Sequence, residues 1–171
     1  MTTGVGSTEP AKSAGAGASD LFDAIQAERA KYPEGARSAV LPALRLAQER
    51  YGWLSPDALR EVAAALDETP AFCKSVASFY DMFNLAPVGE HMVEVCTNVS
   101  CALYGAQQVL ESFEAELGCR AGETSDDGKV TLKAIECLGG CGWGTVVAVD
   151  HHYRLHVTPD EAVAIVEELR G

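Results

Sequence analysis

Apolar residues in the first half of the chain recur every three or four positions, as on the buried face of a helix. Four short amphipathic helices are predicted, the first with Ser19 as its cap and the others beginning near Arg37, Pro56 and Pro70. Ser55 and Thr69 each precede a proline, and a capping hydroxyl followed by proline in the first turn is a strong helix start. Gly52 is expected to end the second helix. These helices predict a small bundle over residues 19–84.

The period of the apolar pattern changes to two in the second half of the chain, after a linker at residues 84–89. This alternation predicts strands at about residues 91–95, 129–135, 145–149 and 153–157. A helix is expected between the first two strands, at about residues 102–117, and a capping box starting at Thr158 opens a final helix. The order β-α-β-β-β-α predicts a small sheet with helices packed on it over residues 85–171. The predicted fold class is therefore α+β.

Composition and charge limit where the protein is expected to be located and which partners it is expected to bind. Residues 1–18 are rich in Gly, Ala, Ser and Thr and predict a disordered tail. They have no basic start and no apolar run, so no secretion signal is expected, and no segment approaches the roughly 18 apolar residues of a membrane span. The formal net charge of −12 argues against nucleic acid or an anionic membrane as the main partner. We therefore expect a cytosolic protein whose cysteines are reduced.

Four of the six cysteines fall into two close pairs. Cys96 and Cys101 lie in VCTNVSC with four residues between them, and Cys137 and Cys141 lie in ECLGGCGWG with three between them. Clustered thiolates repel one another unless a metal takes up their charge. Four thiolates, with no histidine within either pair, are the ligand set of an iron–sulfur cluster or of a structural zinc.

Spacing and nearby glycines favour a 2Fe-2S cluster over zinc. A spacing of four residues recurs in plant-type 2Fe-2S loops, whereas many structural zinc sites use two. Four glycines surround the second pair, at Gly139, Gly140, Gly142 and Gly144. They let the backbone approach the sulfurs closely, and their N–H groups can hydrogen-bond the sulfurs. A structural zinc site and a redox disulfide stay open as alternatives on these observations.

The remaining candidate residues are predicted to be structural. Cys73 lies on an amphipathic helix and is expected to be buried, while Cys119 is expected to begin a strand. His151 and His152 lie in a predicted turn, where solvent-exposed histidines are expected. The sequence has no nucleophile–base pair, no G-x-G-x-x-G loop at a strand–helix junction and no Walker A loop. No catalytic residue is therefore assigned, and NAD and flavin are expected to bind to a partner.

Motifs in both halves extend the argument beyond the cysteines. The most specific are LPALRLAQERYGWLS, SFYDMFNLAPVGEH, VCTNVSCALYGA, GETSDDGKVTL and ECLGGCG. With them, residues 21–170 resemble the small 2Fe-2S subunit of NADH-quinone oxidoreductase, which is respiratory complex I. The chain is similar also to the matching subunits of NAD-dependent formate dehydrogenases and NAD-reducing hydrogenases, and the sequence does not separate these complexes.

The resemblance implies a fold, a cofactor and a role. The fold is an N-terminal helical bundle followed by a thioredoxin-like domain with a small mixed sheet. The implied cofactor is one 2Fe-2S cluster, held by Cys96, Cys101, Cys137 and Cys141. The implied role is electron transfer next to the FMN-containing, NADH-oxidising subunit, among the other subunits of the complex. Such a protein would be cytoplasmic, or held at the inner face of the cell membrane through its complex, without inserting into it.

Two further expectations accompany the resemblance. The helical half is expected to dock onto the flavoprotein, because the other half can fold around its own metal. After the last cysteine the family commonly has a small residue and a proline, whereas this chain reads Gly142-Trp143-Gly144-Thr145. Trp143 is expected to shield the cluster or to pack against a partner. A structural zinc module that serves only in assembly is the competing class of function.

Overall fold

The computed structural model describes residues 18–32 and 35–171. The chain divides into two compact units, Met1–Leu85 and Ala86–Gly171. The predicted tail, up to residue 17, lies outside the described residues. No helix in the described part of the chain is long and apolar enough to cross a membrane.

Within its described residues the first unit contains four α-helices, as the apolar pattern predicts. They are α1 (Ala18–Arg29), α2 (Val40–Tyr51), α3 (Pro56–Leu66) and α4 (Pro70–Ala77). A 3-10 turn, Ala36–Ala39, leads into α2. Helix α1 already includes Ser19, so the prediction that Ser19 caps this helix is wrong.

Local chemistry fixes the ends of these helices. The Ser55 hydroxyl accepts a hydrogen bond from the N–H of Ala58 at 3.1 Å, and the Thr69 hydroxyl accepts one from Phe72 at 3.2 Å. Gly52 closes α2 in the left-handed region, at φ 79°. The apolar faces then meet in one core, whose largest buried side chains are Ile25, Leu44, Leu54, Val62 and Leu66.

The second unit contains a four-stranded mixed sheet and three α-helices. In chain order the elements are β1 (His91–Cys96), α5 (Val99–Leu103), α6 (Ala106–Leu117), β2 (Val130–Ile135), β3 (Val147–Val149), β4 (His152–Arg154) and α7 (Pro159–Arg170). The strand order is β2-β1-β3-β4, with β1 parallel to β2 and the other neighbours antiparallel. The predicted α+β class, a helical bundle followed by a small mixed sheet, is confirmed.

Several elements in this unit differ from the prediction. The strand expected at residues 145–149 begins at Val147. The single helix expected at residues 102–117 is two helices, separated where Gly105 adopts a left-handed φ of 92°. The strand expected at residues 153–157 ends at Arg154. Cys119 does not begin a strand: it lies in the turn after α6. That turn follows Gly118, which ends α6 at φ 70°.

The sheet positions the cysteine loops at one edge of its core. Val93, Val95 and Leu132 on the strands are buried with Phe113 of α6 and Val166 of α7. Beside this core lies a smaller buried cluster, made of Cys96, Cys101, Ala106 and Val146. Two of the paired cysteines thus belong to the packed interior of the unit.

Candidate functional site

The first cysteine pair lies where β1 passes into α5. Cys96 is the last residue of β1, and its N–H donates to the carbonyl of Val146 at 3.0 Å. Asn98 then caps α5, because its side chain accepts a hydrogen bond from the N–H of Val99 at 2.9 Å. Cys101 lies within that short helix. Cys96 is 3% exposed and Cys101 is 1% exposed, so both thiols face the interior.

The second pair lies in the loop that follows β2. Cys137 comes two residues after the strand ends at Ile135, and Cys141 begins a 3-10 turn, Cys141–Trp143. Both are exposed. Because β1 and β2 are parallel, with Cys96 opposite Ile135, their carboxyl ends meet at the same edge of the sheet. The sheet therefore brings together two pairs that have 35 residues between them in the sequence.

The pKa values of the buried pair reflect this proximity. Burial raises the pKa of the Cys96 thiol, but hydrogen bonds from the backbone at Leu138 and Asn98, and from the thiols of Cys101 and Cys137, lower it overall. Burial also raises the pKa of the Cys101 thiol, and the charge on Cys96 raises this pKa further. A hydrogen bond from the backbone at Val146 lowers the pKa of Cys101, but the net shift is upward. A negative charge on Cys96 therefore makes loss of the proton from Cys101 less favourable.

The four paired cysteines interact with one another through their thiol groups. All are free, and their interactions link them in the sequence Cys137, Cys96, Cys101, Cys141. Among the described residues no group of three or more Cys, His, Asp or Glu side chains is arranged to hold a metal ion. Four thiolates shared between two irons are the ligand set of a 2Fe-2S cluster. The donor chemistry of these side chains fits that cofactor.

Backbone N–H groups approach the sulfurs at the second loop. The N–H of Gly139 donates to Sγ of Cys137 at 3.3 Å, and Gly139 has a left-handed φ of 77° that favours glycine. Gly140 packs against Val146, so that a Cβ at position 140 would lie 2.8 Å from Cγ2 of that residue. The close backbone approach expected from the glycines is present at this loop.

The segment that departs from the family pattern packs against α5. A Cβ at Gly144 would lie 2.7 Å from Cδ2 of the Tyr104 ring. The next residue, Thr145, is buried, and its hydroxyl donates to the carbonyl of Tyr104 at 3.4 Å. Trp143 is 55% exposed, so its ring is open to solvent in the isolated chain.

Exposed apolar side chains occur on the same elements as the cysteine loops or next to them. They are Val99, Leu103, Tyr104, Trp143, Tyr153 and Leu155. Sequence reasoning identified only Trp143 among them. Tyr153 was missed as a site residue, although its hydroxyl donates to the carbonyl of Leu138 at 2.7 Å, within the second cysteine loop. Tyr153 and Leu138 are 15 positions apart, and they meet only because β4 lies beside the loop. No local pattern in the sequence therefore reveals this hydrogen bond.

The other candidates are two more cysteines and two exposed histidines. Cys73 is fully buried in the helical core, and burial raises the pKa of its thiol, as expected of a structural cysteine. Burial also raises the pKa of Cys119, with Glu123 adding to the shift. His151 and His152 are exposed, as predicted, but only His151 lies in the turn between β3 and β4, because His152 begins β4.

Several known proteins resemble this chain in sequence or in fold. The family described as thioredoxin-like 2Fe-2S ferredoxin matches residues 25–170. The chain is 38% identical to the second NADH-quinone oxidoreductase E-subunit of Rhizobium meliloti, over 88% of this chain and 89% of that protein. It is 42% identical to the NADH-quinone oxidoreductase E-subunit of Rickettsia bellii, over 82% of this chain and 86% of that protein. The fold is also similar to that of a chain of an NAD+-reducing NiFe-hydrogenase in the air-oxidized state, with a TM-score of 0.66. The two chains are 17% identical, and the alignment covers 74% of this chain and 22% of that chain.

Proposed function

Because the chain belongs to the thioredoxin-like 2Fe-2S ferredoxin family, we propose that it is an electron-transfer subunit of an NADH-quinone oxidoreductase complex. The family match covers both compact units, and relatives named as a subunit of that complex align with most of the chain. The observation that carries the proposal is the meeting of two cysteine pairs at one edge of the sheet. No residue of this chain is assigned to chemistry on NADH.

The four cysteines that meet at this edge are the proposed ligands. The buried Cys96 and Cys101 and the exposed Cys137 and Cys141 would hold the cluster. The bound cluster supplies one-electron transfer. The chain buries Cys96 and Cys101 away from water and directs backbone N–H groups at the sulfurs of Cys96 and Cys137. These two features adjust how readily the cluster accepts an electron.

Single Cys→Ala substitutions test the ligand assignment. Alanine has no atom that can bind iron, so each variant at the four positions is expected to lose most of its iron and its visible absorption. Cys119→Ala is the matched control, because it makes the same change at a partly exposed thiol outside the site. It is expected to retain the full iron content. Full retention of the cluster in any of the four ligand variants would contradict the assignment at that position.

The proposed partner is the flavin-bearing, NADH-oxidising subunit of the same complex, and the helical unit is the proposed docking unit. Beyond α4 this unit presents three exposed apolar side chains in a short segment, Phe79, Tyr80 and Met82. The rings of Phe79 and Tyr80 meet edge to face with centroids 5.1 Å apart, so they form one patch. Phe79 is 79% exposed, and exposed aromatic patches of this kind are typical of protein interfaces.

Binding to the separately purified flavin-bearing subunit tests the docking surface. The double variant Phe79→Ser/Met82→Ser is expected to bind at least about tenfold more weakly, because truncating central apolar side chains commonly costs more than about 1 kcal/mol each. Leu103→Ser is the control, since Leu103 is 84% exposed but belongs to the sheet unit. Its binding is expected to be unchanged. Loss of binding in Leu103→Ser, with full binding in the double variant, would reverse the assignment of the docking unit.

The two compact units are proposed to act as separate domains, a helical one over residues 19–84 and a cluster-holding one over residues 85–171. The complex is proposed to hold the chain in the cytoplasm, at the inner face of the cell membrane, without inserting it. Fractionation of cells checks the location. The chain is expected in the membrane fraction with its complex and in the soluble fraction after a high-salt wash.

A further inference from the structure

One peptide unit in the second cysteine loop is hydrogen-bonded on both sides. The carbonyl of Leu138 accepts a hydrogen bond from the Tyr153 hydroxyl at 2.7 Å. The N–H of the next residue, Gly139, belongs to the same peptide unit and donates to Sγ of Cys137 at 3.3 Å. A phenol on β4 is therefore connected to a proposed ligand sulfur through a single peptide.

The two hydrogen bonds reinforce each other. In a planar trans peptide the C=O and N–H groups point in opposite directions and share one delocalised system. A donor at the oxygen polarises the peptide and makes its N–H a stronger donor, an effect that builds along chains of hydrogen bonds. The phenol also limits rotation of the peptide, which keeps the N–H directed at the sulfur.

The phenol itself is held in place by the sheet. Tyr153 lies in the middle of β4, paired with Ala148 of β3. The turn before it is tied to β1 by Asp150, whose carboxylate accepts a hydrogen bond from the N–H of Met92 at 2.8 Å and contacts Nδ1 of His91 at 2.7 Å. Tyr153 therefore approaches the loop from a fixed strand and not from a mobile one.

We propose that Tyr153 is a positioning residue that raises the reduction potential of the cluster through the Leu138–Gly139 peptide. This inference rests on the proposed function, since it needs a cluster bound to Cys137. Reduction adds negative charge to the cluster, and an N–H directed at a sulfur stabilises that charge. A stronger and better-oriented N–H at Cys137 therefore favours the reduced state.

Tyr153→Phe in the full-length protein tests the proposal, because it removes the hydroxyl and keeps the ring. The measurement is an equilibrium redox titration followed by EPR, with iron counted in the same samples. The ratio of reduced to oxidised cluster at a fixed solution potential is expected to fall about fivefold. For a one-electron couple this corresponds to about 41 mV. Iron content is expected to equal that of the wild type.

Tyr104→Phe is the matched control. Tyr104 is also exposed beside the site, but its hydroxyl makes no hydrogen bond within the part of the chain that is described. Its potential is expected to equal that of the wild type, and an equal shift in both variants would overturn the proposal. So would a wild-type potential in Tyr153→Phe, or loss of its iron, which would indicate a merely structural role. A wild-type chain without a 2Fe-2S cluster would instead overturn the proposed function itself.

Discussion

Single residues shape the second cysteine loop by close contact. Gly140 lies against Val146 and Gly144 lies against the Tyr104 ring, each too closely for a Cβ to fit without movement. Gly140 directly precedes Cys141, and Gly144 follows it by three positions. Their role is therefore to let the loop pack tightly against the rest of the sheet unit, which holds the exposed cysteines in place.

Gly144→Ala is expected to strain this packing. The added methyl group would meet Cδ2, Cγ and Cβ of Tyr104, so the whole side chain would have to rotate. Overpacking of this kind costs about 1–3 kcal/mol. The apparent melting temperature of the cluster-loaded protein is expected to fall by about 5 °C.

Two further variants make this prediction specific. Nothing lies within 4 Å of a Cβ at Gly142, so Gly142→Ala is expected to leave the melting temperature nearly unchanged. Adding Tyr104→Ala to Gly144→Ala removes the obstructing ring and is expected to recover part of the loss. Equal destabilisation by Gly144→Ala and Gly142→Ala would show that the Tyr104 contact is not the cause.

At the scale of elements, helix α7 has the best-defined start. The Thr158 hydroxyl accepts a hydrogen bond from the N–H of Glu161, whose carboxylate accepts one from the N–H of Thr158. Pro159 occupies the first helical position. Ala162 and Val166 then pack into the core of the sheet unit. The capping box therefore sets where this apolar face begins.

Thr158→Ala removes the capping hydroxyl and is expected to destabilise the sheet unit by about 1 kcal/mol, the usual cost of losing such a cap. Urea unfolding followed by circular dichroism measures the change. Thr158→Ser keeps the hydroxyl and is expected to retain most of the stability. An equal loss in both variants would point to the missing methyl group of threonine instead of the cap.

Elements were predictable where local chemistry determines them. A hydroxyl followed by proline correctly predicted the starts of α3, α4 and α7. The interruption between α5 and α6 was not predicted, because the apolar pattern continues through it and a glycine is tolerated in many helices. Strand β4 was predicted too long, since its apolar residues at Leu155 and Val157 continue the alternation past its end.

The site was predictable only in part. The positions of the four cysteines at the ends of two strands follow from the pattern, and the parallel pairing of β1 and β2 brings them to one edge. The contacts of Tyr153 with Leu138 and of Tyr104 with Gly144 do not follow from it. They depend on how separate elements pack, which sequence periodicity does not encode.

At the scale of the whole molecule, the predicted resemblance to the small 2Fe-2S subunit of NADH-quinone oxidoreductase is confirmed by the family match and by relatives that align over most of the chain. The helical unit supplies an exposed aromatic patch, and the sheet unit supplies the thiols. A net charge of −12 would grow with a bound thiolate cluster, so the chain is expected to favour partners with positive or apolar surfaces. The proposed role assigns docking to the helical unit and electron transfer to the sheet unit.

The most direct test of the central claim is a metal and sulfide analysis of the full-length protein purified without oxygen, together with EPR after reduction. We expect a red-brown protein with about two irons and two acid-labile sulfides per chain. We also expect an EPR signal that appears on reduction. A colourless protein with one zinc per chain and no iron would contradict the account.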